Sequence, residues 1–275
     1  MLFCAMNLSE GRDEGFLAGL EHLAGRAFLD RHTSADHNRS VITIGGPEVL
    51  DAAFSITQEA VANLDIRRHE GAHPRLGVVD VVPFVPVEGT GESLADAAKA
   101  REAFAVRASE ELGVPVFSYG VAQGQIPSRE LPVVRKEAFK ELLPDWGPRN
   151  PHPTAGAICA GARPPLVAYN LWLDQRDIEK ARTVVREIRS RLVRALAFEL
   201  AEGAQVSLNL VAPFEFGPAQ AYDFVSERAS VRRCELVGLI PARVLEQIEP
   251  DKWGLLDLGA DKTLEFRLRE QGYLL

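Results

Sequence analysis

The chain reads as an α+β protein built from two α/β halves, and three observations carry that reading. Apolar runs with strand character alternate with amphipathic helical stretches along the whole sequence. In the first half these elements follow the order βαββαβ, the ferredoxin-like arrangement. A Pro- and Gly-rich stretch without period, residues 144–165, then separates them from a second alternating run. The expected division is 1–165 and 166–275.

Residues 2–6 are apolar and form the first strand; the run is too short for a signal-peptide core. Ser9 or Asp13 supplies the N-cap of a helix over 13–25. Strands at 26–31 and 39–44 flank the polar turn T-S-A-D-H-N. Pro47 suits a first helical turn, and Val49, Leu50, Ala53, Ile56, Ala60 and Val61 continue an apolar stripe. V-V-D-V-V-P-F-V at 78–85 is β-branched and reads as a central strand, with Pro83 expected at its end or at a bulge. A helix over 92–112, a strand over 114–119 and a helix near 129–142 follow. In the second half the spacing predicts a strand (166–173), a long helix (175–200) and a strand (204–211). A helix (218–230), a strand (233–239) and a short helix (241–248) complete it.

Composition narrows the function. At 46% hydrophobic and 25% charged residues, the chain has the make-up of an ordinary globular protein, and 275 residues suffice for two small cores. No apolar run approaches the ~20 residues that cross a bilayer. Cys4, Cys159 and Cys234 are widely spaced and odd in number, which argues against a disulfide framework or a cysteine metal site. These features predict a cytoplasmic protein without a membrane partner. A net charge of −8 disfavours nucleic-acid binding.

Chemistry concentrates in R-R-H-E-G-A-H-P-R-L-G at 67–77, just before the central strand. His69-Glu70-Gly71-Ala72-His73 matches the H-E-x-x-H pattern of zinc hydrolases, which needs a helix to put both histidines on one face. Gly71 weakens a helix there, and Pro74 pushes His73 out of the α region. The backbone thus argues against a zinc hydrolase at His69 and His73.

The segment G-A-H-P-R-L-G-V-V-D-V-V-P-F-V-P resembles the glutamate formimidoyltransferase (formiminotransferase) family. N-L-S-E-G-R-D at 7–13, D-H-N-R-S-V at 36–41, E-L-G-V-P-V at 111–116 and P-D-W-G-P at 144–148 resemble it too, in the same order. So do G-A-R at 161–163, A-Y-N-L at 168–171, A-Q-V-S-L-N-L at 204–210 and E-L-V-G-L-I-P at 235–241. The likeness covers almost the whole chain and is to the stand-alone form, without a cyclodeaminase domain. It implies two ferredoxin-like subdomains packed together with a folate tunnel between them. It also implies transfer of a formimidoyl group from N-formimidoyl-L-glutamate to tetrahydrofolate, a co-substrate, with no metal, within histidine degradation. Both substrates are anionic, so an acidic protein must gather cations locally, with Arg39, Arg67, Arg68, Arg75 and Arg149 as candidates. A two-fold homodimer is the expected assembly.

The resemblance makes His73, in H-P-R, the catalytic acid/base, a role that suits an imidazole near neutrality. It makes Gly147, Pro148, Arg149, Asn150, Pro151, His152, Pro153, Thr154, Ala155 and Gly156 the folate-binding loop; an interdomain linker is the plainer reading. Arg75, two residues from His73, either clamps a substrate carboxylate or pairs with Asp80 or Glu70. Asn38 and Arg39 either reach substrate or finish a turn. Gln205, Ser207 and Asn209 share one strand face, either solvated or lining a substrate wall, and Tyr169 and Asn170 have the same standing. Val121 stands where the family usually carries a glutamate after Tyr-Gly. That departure admits a diverged folate binder with a changed donor, such as formyl-glutamate, or with no turnover.

Overall fold

The computed structural model describes residues 1–174 and 176–274. It divides into two compact units, Met1–Pro164 and Pro165–Leu275, each with its own core.

The first unit runs β1 (Leu2–Leu8), α1 (Glu14–Ala24), β2 (Phe28–Ser34), β3 (Arg39–Gly45), α2 (Val49–Asn63) and β4 (Val79–Pro86). These strands form the ferredoxin-like order β2-β3-β1-β4, antiparallel throughout. Next come α3 (Leu94–Leu112), β5 (Val116–Gly120), α4 (Leu131–Glu137) and β6 (Ile158–Ala162). β6 joins the edge of β4 in parallel, and β5 joins β6, giving six strands. Asp13, not Ser9, caps α1, accepting from the Phe16 N–H at 2.9 Å.

Val78 to Val85 are all buried, which explains the run without polar alternation in a strand covered on both faces. One cluster packs α2 and α3 against Val82, Phe84, Val116, Ile158 and Ala160. The opposite face packs Val134 of α4 and Ala138 just after it against Phe117, Tyr119 and Cys159. Pro83 lies inside β4 instead of at its end or at a bulge, between the Cys4–Phe84 and Asn7–Val81 pairs with β1.

Two expected elements differ. β6 lies within 144–165, a stretch read as loop throughout. Its sequence I-C-A-G-A is small because Tyr119 crosses it: a Cβ on Gly161 would overlap the phenol ring. The helix expected over 175–200 is α5 (Ile178–Ile188), followed by a turn and then β8 (Val193–Leu200); Gln175 lies outside the described residues. V-R-A-L-A-F-E-L is rich in helix formers, but eight-residue pairing with the next strand overrides that preference.

With β8 in place, the second unit repeats the first. β7 (Val167–Leu173), α5, β8, β9 (Gly203–Leu210), α6 (Pro218–Ser226) and β10 (Val231–Val237) follow the order βαββαβ. They pair antiparallel as β10-β7-β9-β8. Short helices α7 (Ala242–Leu245) and α8 (Leu264–Glu270) close this unit.

Gly120 ends β5 at φ 88°, and a Cβ there would overlap the Ala162 carbonyl of the neighbouring strand. Gly120→Ala therefore combines backbone strain with a steric clash. We expect it to lower unfolding free energy by about 1–3 kcal/mol, read from urea denaturation.

Candidate active site at the rim of the first sheet

Strand direction brings four separated segments to one rim. β1 runs antiparallel to both β3 and β4, so the end of β1 meets their beginnings: Leu8 pairs with Ser40 and with Val79. β6 runs parallel to β4 and begins at the same level. Residues 9–13, 36–39, 69–78 and 152–157 therefore gather there, each from a stretch singled out in the sequence.

Backbone contacts lock them together. Asn38 is buried with φ 44°, a left-handed conformation that asparagine tolerates. Its Oδ1 accepts from the Gly11 N–H at 2.9 Å, and its Nδ2 donates to the Glu70 carbonyl at 3.0 Å. It thus ties three segments with one amide. Arg75 is likewise engaged: it donates to the carbonyls of His73, His37 and, at 3.5 Å, Asn38, and it feels the charge of Asp80 without a hydrogen bond to it. Gly71 has no room for a side chain, because a Cβ would overlap the His37 carbonyl.

His73 sits half-buried in an irregular stretch, since residues 69–76 are neither helix nor strand. The H-E-x-x-H helix is absent, and with it the geometry of the zinc-hydrolase reading. His69 Nδ1 lies 3.5 Å from Asn38 Nδ2. His73 Nδ1 lies 2.6 Å from Arg39 Nη1 and 2.9 Å from the Pro74 carbonyl oxygen. Among the described residues, no three His, Cys, Asp or Glu side chains converge as a ligand set. Burial first, and then the Arg39 charge, hold the His73 imidazolium pKa far below the usual 6.5, so the ring is neutral at pH 7.

Arg39 begins β3, and its Nε donates to Asn7 Oδ1 at 3.1 Å. Its Nη1 is 3.8 Å from Asp80 Oδ2. Asp80 is 1% exposed, accepts from the Leu76 N–H at 2.9 Å, and pairs with Arg135 of α4. Burial lowers the Arg39 pKa to about 10, which leaves it charged at neutrality. The site is a neutral imidazole beside two arginines and one buried carboxylate.

The 147–156 loop splits into two parts. Residues 147–151 are exposed. Residues 152–156 form a tight turn closed by His152–Gly156 backbone bonds of 2.8 and 3.0 Å, and His152 Nδ1 accepts from the Ala155 N–H at 3.0 Å. The turn docks on the His73 segment: Thr154 O accepts from Ile66 N at 2.8 Å, and Ala155 O from Val78 N at 2.9 Å. Gly156 has φ 73°, and a Cβ would overlap the Leu76 carbonyl. The second part of the expected folate loop thus packs on Ile66 and on Leu76–Val78, which flank the stretch that holds His73.

The sequence reading passed over Asn7, His37 and Arg135 and gave Asp80 only as a partner for Arg75. The signal for Asp80 was present: it is the one charge within an apolar strand, and a charge there needs partners. In the second unit, Tyr169 is core, with its hydroxyl donating to the Leu256 carbonyl at 2.7 Å. On the other face of that sheet, Glu235 accepts from Asn170 Nδ2 at 3.0 Å, Trp172 Nε1 at 2.9 Å and Gln205 Nε2 at 3.5 Å. Gln205 is buried, Ser207 half-buried and Asn209 exposed, so the polar face is graded from closed to solvated.

Removing Asp80 leaves two arginines facing each other without a counter-charge. Asp80→Ala is expected to cost about 3–5 kcal/mol in urea unfolding, well above the change from deleting an exposed carboxylate such as Asp51.

Comparison with known proteins adds an independent line. The family profile of the formiminotransferase domain, N-terminal subdomain, matches residues 1–163. A protein named glutamate formimidoyltransferase from Streptococcus pyogenes serotype M1 is 34% identical over 270 residues, covering 88% of this chain and 89% of its own length. One of the same name from Thermoplasma acidophilum is 32% identical, covering 88% of each chain. A formimidoyltransferase-cyclodeaminase from Gallus gallus is 34% identical over 98% of this chain but only 58% of its own longer one. The profile spans the whole six-stranded sheet and the rim that holds Arg39, His73 and Gly156, and the relatives extend through both units: the chain belongs to the formiminotransferase family.

Proposed function

We propose that the protein transfers the formimidoyl group of N-formimidoyl-L-glutamate to N5 of tetrahydrofolate, giving 5-formimidoyltetrahydrofolate and glutamate. Two relatives matched over most of their length bear the name of that activity. The observation that carries the reading onto this chain is the rim itself. A neutral histidine in contact with Arg39 lies on the same 66–78 segment that the 152–156 turn docks on, which supports a site where proton transfer and a flat ring meet.

The chemistry asks for a proton carrier. N5 attacks the formimidoyl carbon and must lose its proton, while the bond from that carbon to the glutamate nitrogen breaks and that nitrogen gains one. In this scheme His73 Nε2 takes the first proton and delivers the second, so the ring ends as it began. Burial and the Arg39 charge keep the ring unprotonated at neutrality but also weaken it as a base, so this scheme requires the bound substrates to bring its pKa back toward neutrality. The backbone of 147–156 forms the folate wall, with tetrahydrofolate as co-substrate, and the step as written calls for no metal. Positioning of two bound substrates supplies the rest of the rate. Arg39 bears on His73, and Arg75 and Asn38 hold the scaffold. A cytoplasmic location, a two-fold homodimer and a place in histidine degradation belong to the same proposal. Among the described residues, no helix is long and apolar enough to cross a membrane.

The rival reading is a folate binder without turnover, or with formyl-glutamate as donor, and Val121 motivates it. Gly120 lies level with Ala162 and Phe84, at the far end of β4 from Val78. At the rise of an extended strand, the six steps from Val78 to Phe84 span about 20 Å. Within the first unit, then, a side chain at 121 does not reach the His73 cluster, which favours turnover.

Purified protein with both substrates is expected to form the 5-formimidoyl product, and His73→Ala to slow it by about 100- to 10,000-fold while tetrahydrofolate affinity stays within a few-fold. The wild-type kcat/KM is expected to hold its plateau well below pH 6.5, since protonation of His73 is suppressed. Tetrahydrofolate binding with no turnover of either donor would favour the binding-only reading.

A further inference from the structure

The Nδ1 atom of His73 faces two groups that make opposite demands. Arg39 Nη1, 2.6 Å away, can only donate, so it requires a lone pair on Nδ1. The Pro74 carbonyl, 2.9 Å away, can only accept, so it requires a proton there. One nitrogen cannot meet both at once. With Arg39 engaged, the ring proton sits on Nε2, and Nε2 has no lone pair for a substrate proton. With Pro74 engaged, the proton sits on Nδ1, and Nε2 is basic.

Arg39 has somewhere else to go. Asn7 holds its Nε at 3.1 Å, so the guanidinium can pivot about a fixed point. Asp80 Oδ2 lies 3.8 Å from the same Nη1, on a carboxylate held by the Leu76 N–H and by Arg135. The terminal nitrogen thus stands between His73 and Asp80, in contact with the first and about half an ångström outside hydrogen-bond reach of the second.

We propose that Arg39 is a positioning residue that selects the tautomer of His73. Resting on Nδ1, it holds the ring as an Nε2–H donor; moving onto Asp80, it releases the ring to the Nδ1–H form, in which Nε2 is the base. The exchange is balanced by water, which takes the Nε2 proton and returns one to Nδ1. Once Nε2 gains a substrate proton the ring is an imidazolium, and like charge keeps Arg39 on Asp80 until the proton is delivered. This inference rests on the proposed role of His73. It replaces substrate clamping by Arg39 with control of that histidine.

Charged and titratable groups face the ring from several elements. They are Arg39 of β3, Asp80 of β4, Arg135 of α4, Arg75 on the same segment, and His37 in the β2–β3 turn, whose ring stands edge-on at 6.1 Å. Of these, Arg39 is the one whose donor touches Nδ1.

The test reads the tautomer directly, by 15N chemical shifts of histidine-labelled protein, with the His73 signals assigned by their loss in His73→Gln. The wild type is expected to show Nε2–H at neutral pH, and Arg39→Met to show Nδ1–H. In kinetics, Arg39→Met removes a like charge beside the ring, so its acid limb of kcat/KM is expected to move up by about one pH unit or more. Arg39→Lys keeps the charge and is expected to leave the limb at its wild-type position. Should Arg39→Met fail to fold, Arg39→Gln, which still offers Asp80 an N–H, carries the same limb test. An unchanged tautomer in Arg39→Met, or a rise in KM with tautomer and limb both unmoved, would overturn the proposal in favour of a substrate clamp. A wild type without turnover whose tautomer still follows residue 39 would leave this inference standing and remove the transferase reading instead.

Discussion

A single carboxylate buried at the start of the central strand organises the first unit's rim. Asp80 has almost no solvent, so its charge must be met from within the protein. Three partners meet it: the Leu76 amide from the approach to β4, Arg135 from α4, and more loosely Arg39 from β3. Those elements come from distant parts of the chain, and the need to neutralise one group fixes where each must end. The Leu76 contact also sets the course of the backbone between His73 and β4. The geometry of the imidazole is, in this sense, a consequence of a charge placed four residues into the strand approach.

Backbone crowding does the remaining work. Gly71, Gly77 and Gly156 each lie where a Cβ would overlap a neighbouring carbonyl. The 69–78 segment, the 35–38 turn and the 152–156 turn therefore pack main chain against main chain. Arg75 and Asn38 add hydrogen bonds across the same seams. A site built this way is held in place without regular secondary structure at His73. It also explains why two residues with plausible substrate chemistry turn out to be occupied. Their polar groups satisfy carbonyls and amides that irregular backbone leaves unpaired.

The two units show one topology under different demands. In the first, two parallel strands extend the four-stranded sheet and bury β4 on both faces. In the second, the sheet stops at four strands, and the face away from the helices keeps a polar cluster around Glu235. The different strand sequences follow: V-V-D-V-V-P-F-V without alternation in one, and A-Q-V-S-L-N-L with alternation in the other.

Much of this was legible in the linear chain, because the signals are local. Apolar periodicity located α1, α2, α3 and most strands. Pro74 after His73 excluded a helix, and family motifs singled out His73, Arg39 and the 147–156 loop. β8 and β6 were not legible, for opposite reasons. The residues of β8 prefer a helix until β9 supplies hydrogen bonds along their whole length, and those of β6 are small because Tyr119 occupies the space above them. The partners of Asp80 and the double contact at His73 Nδ1 were beyond sequence as well. They join residues up to 55 positions apart, and only folding decides which donor meets which acceptor. Sequence by itself determined most of the elements, the family and the chemistry-bearing residue types. Tertiary structure decided which of those side chains hold the backbone, because hydrogen-bond satisfaction in a buried site depends on neighbours in space.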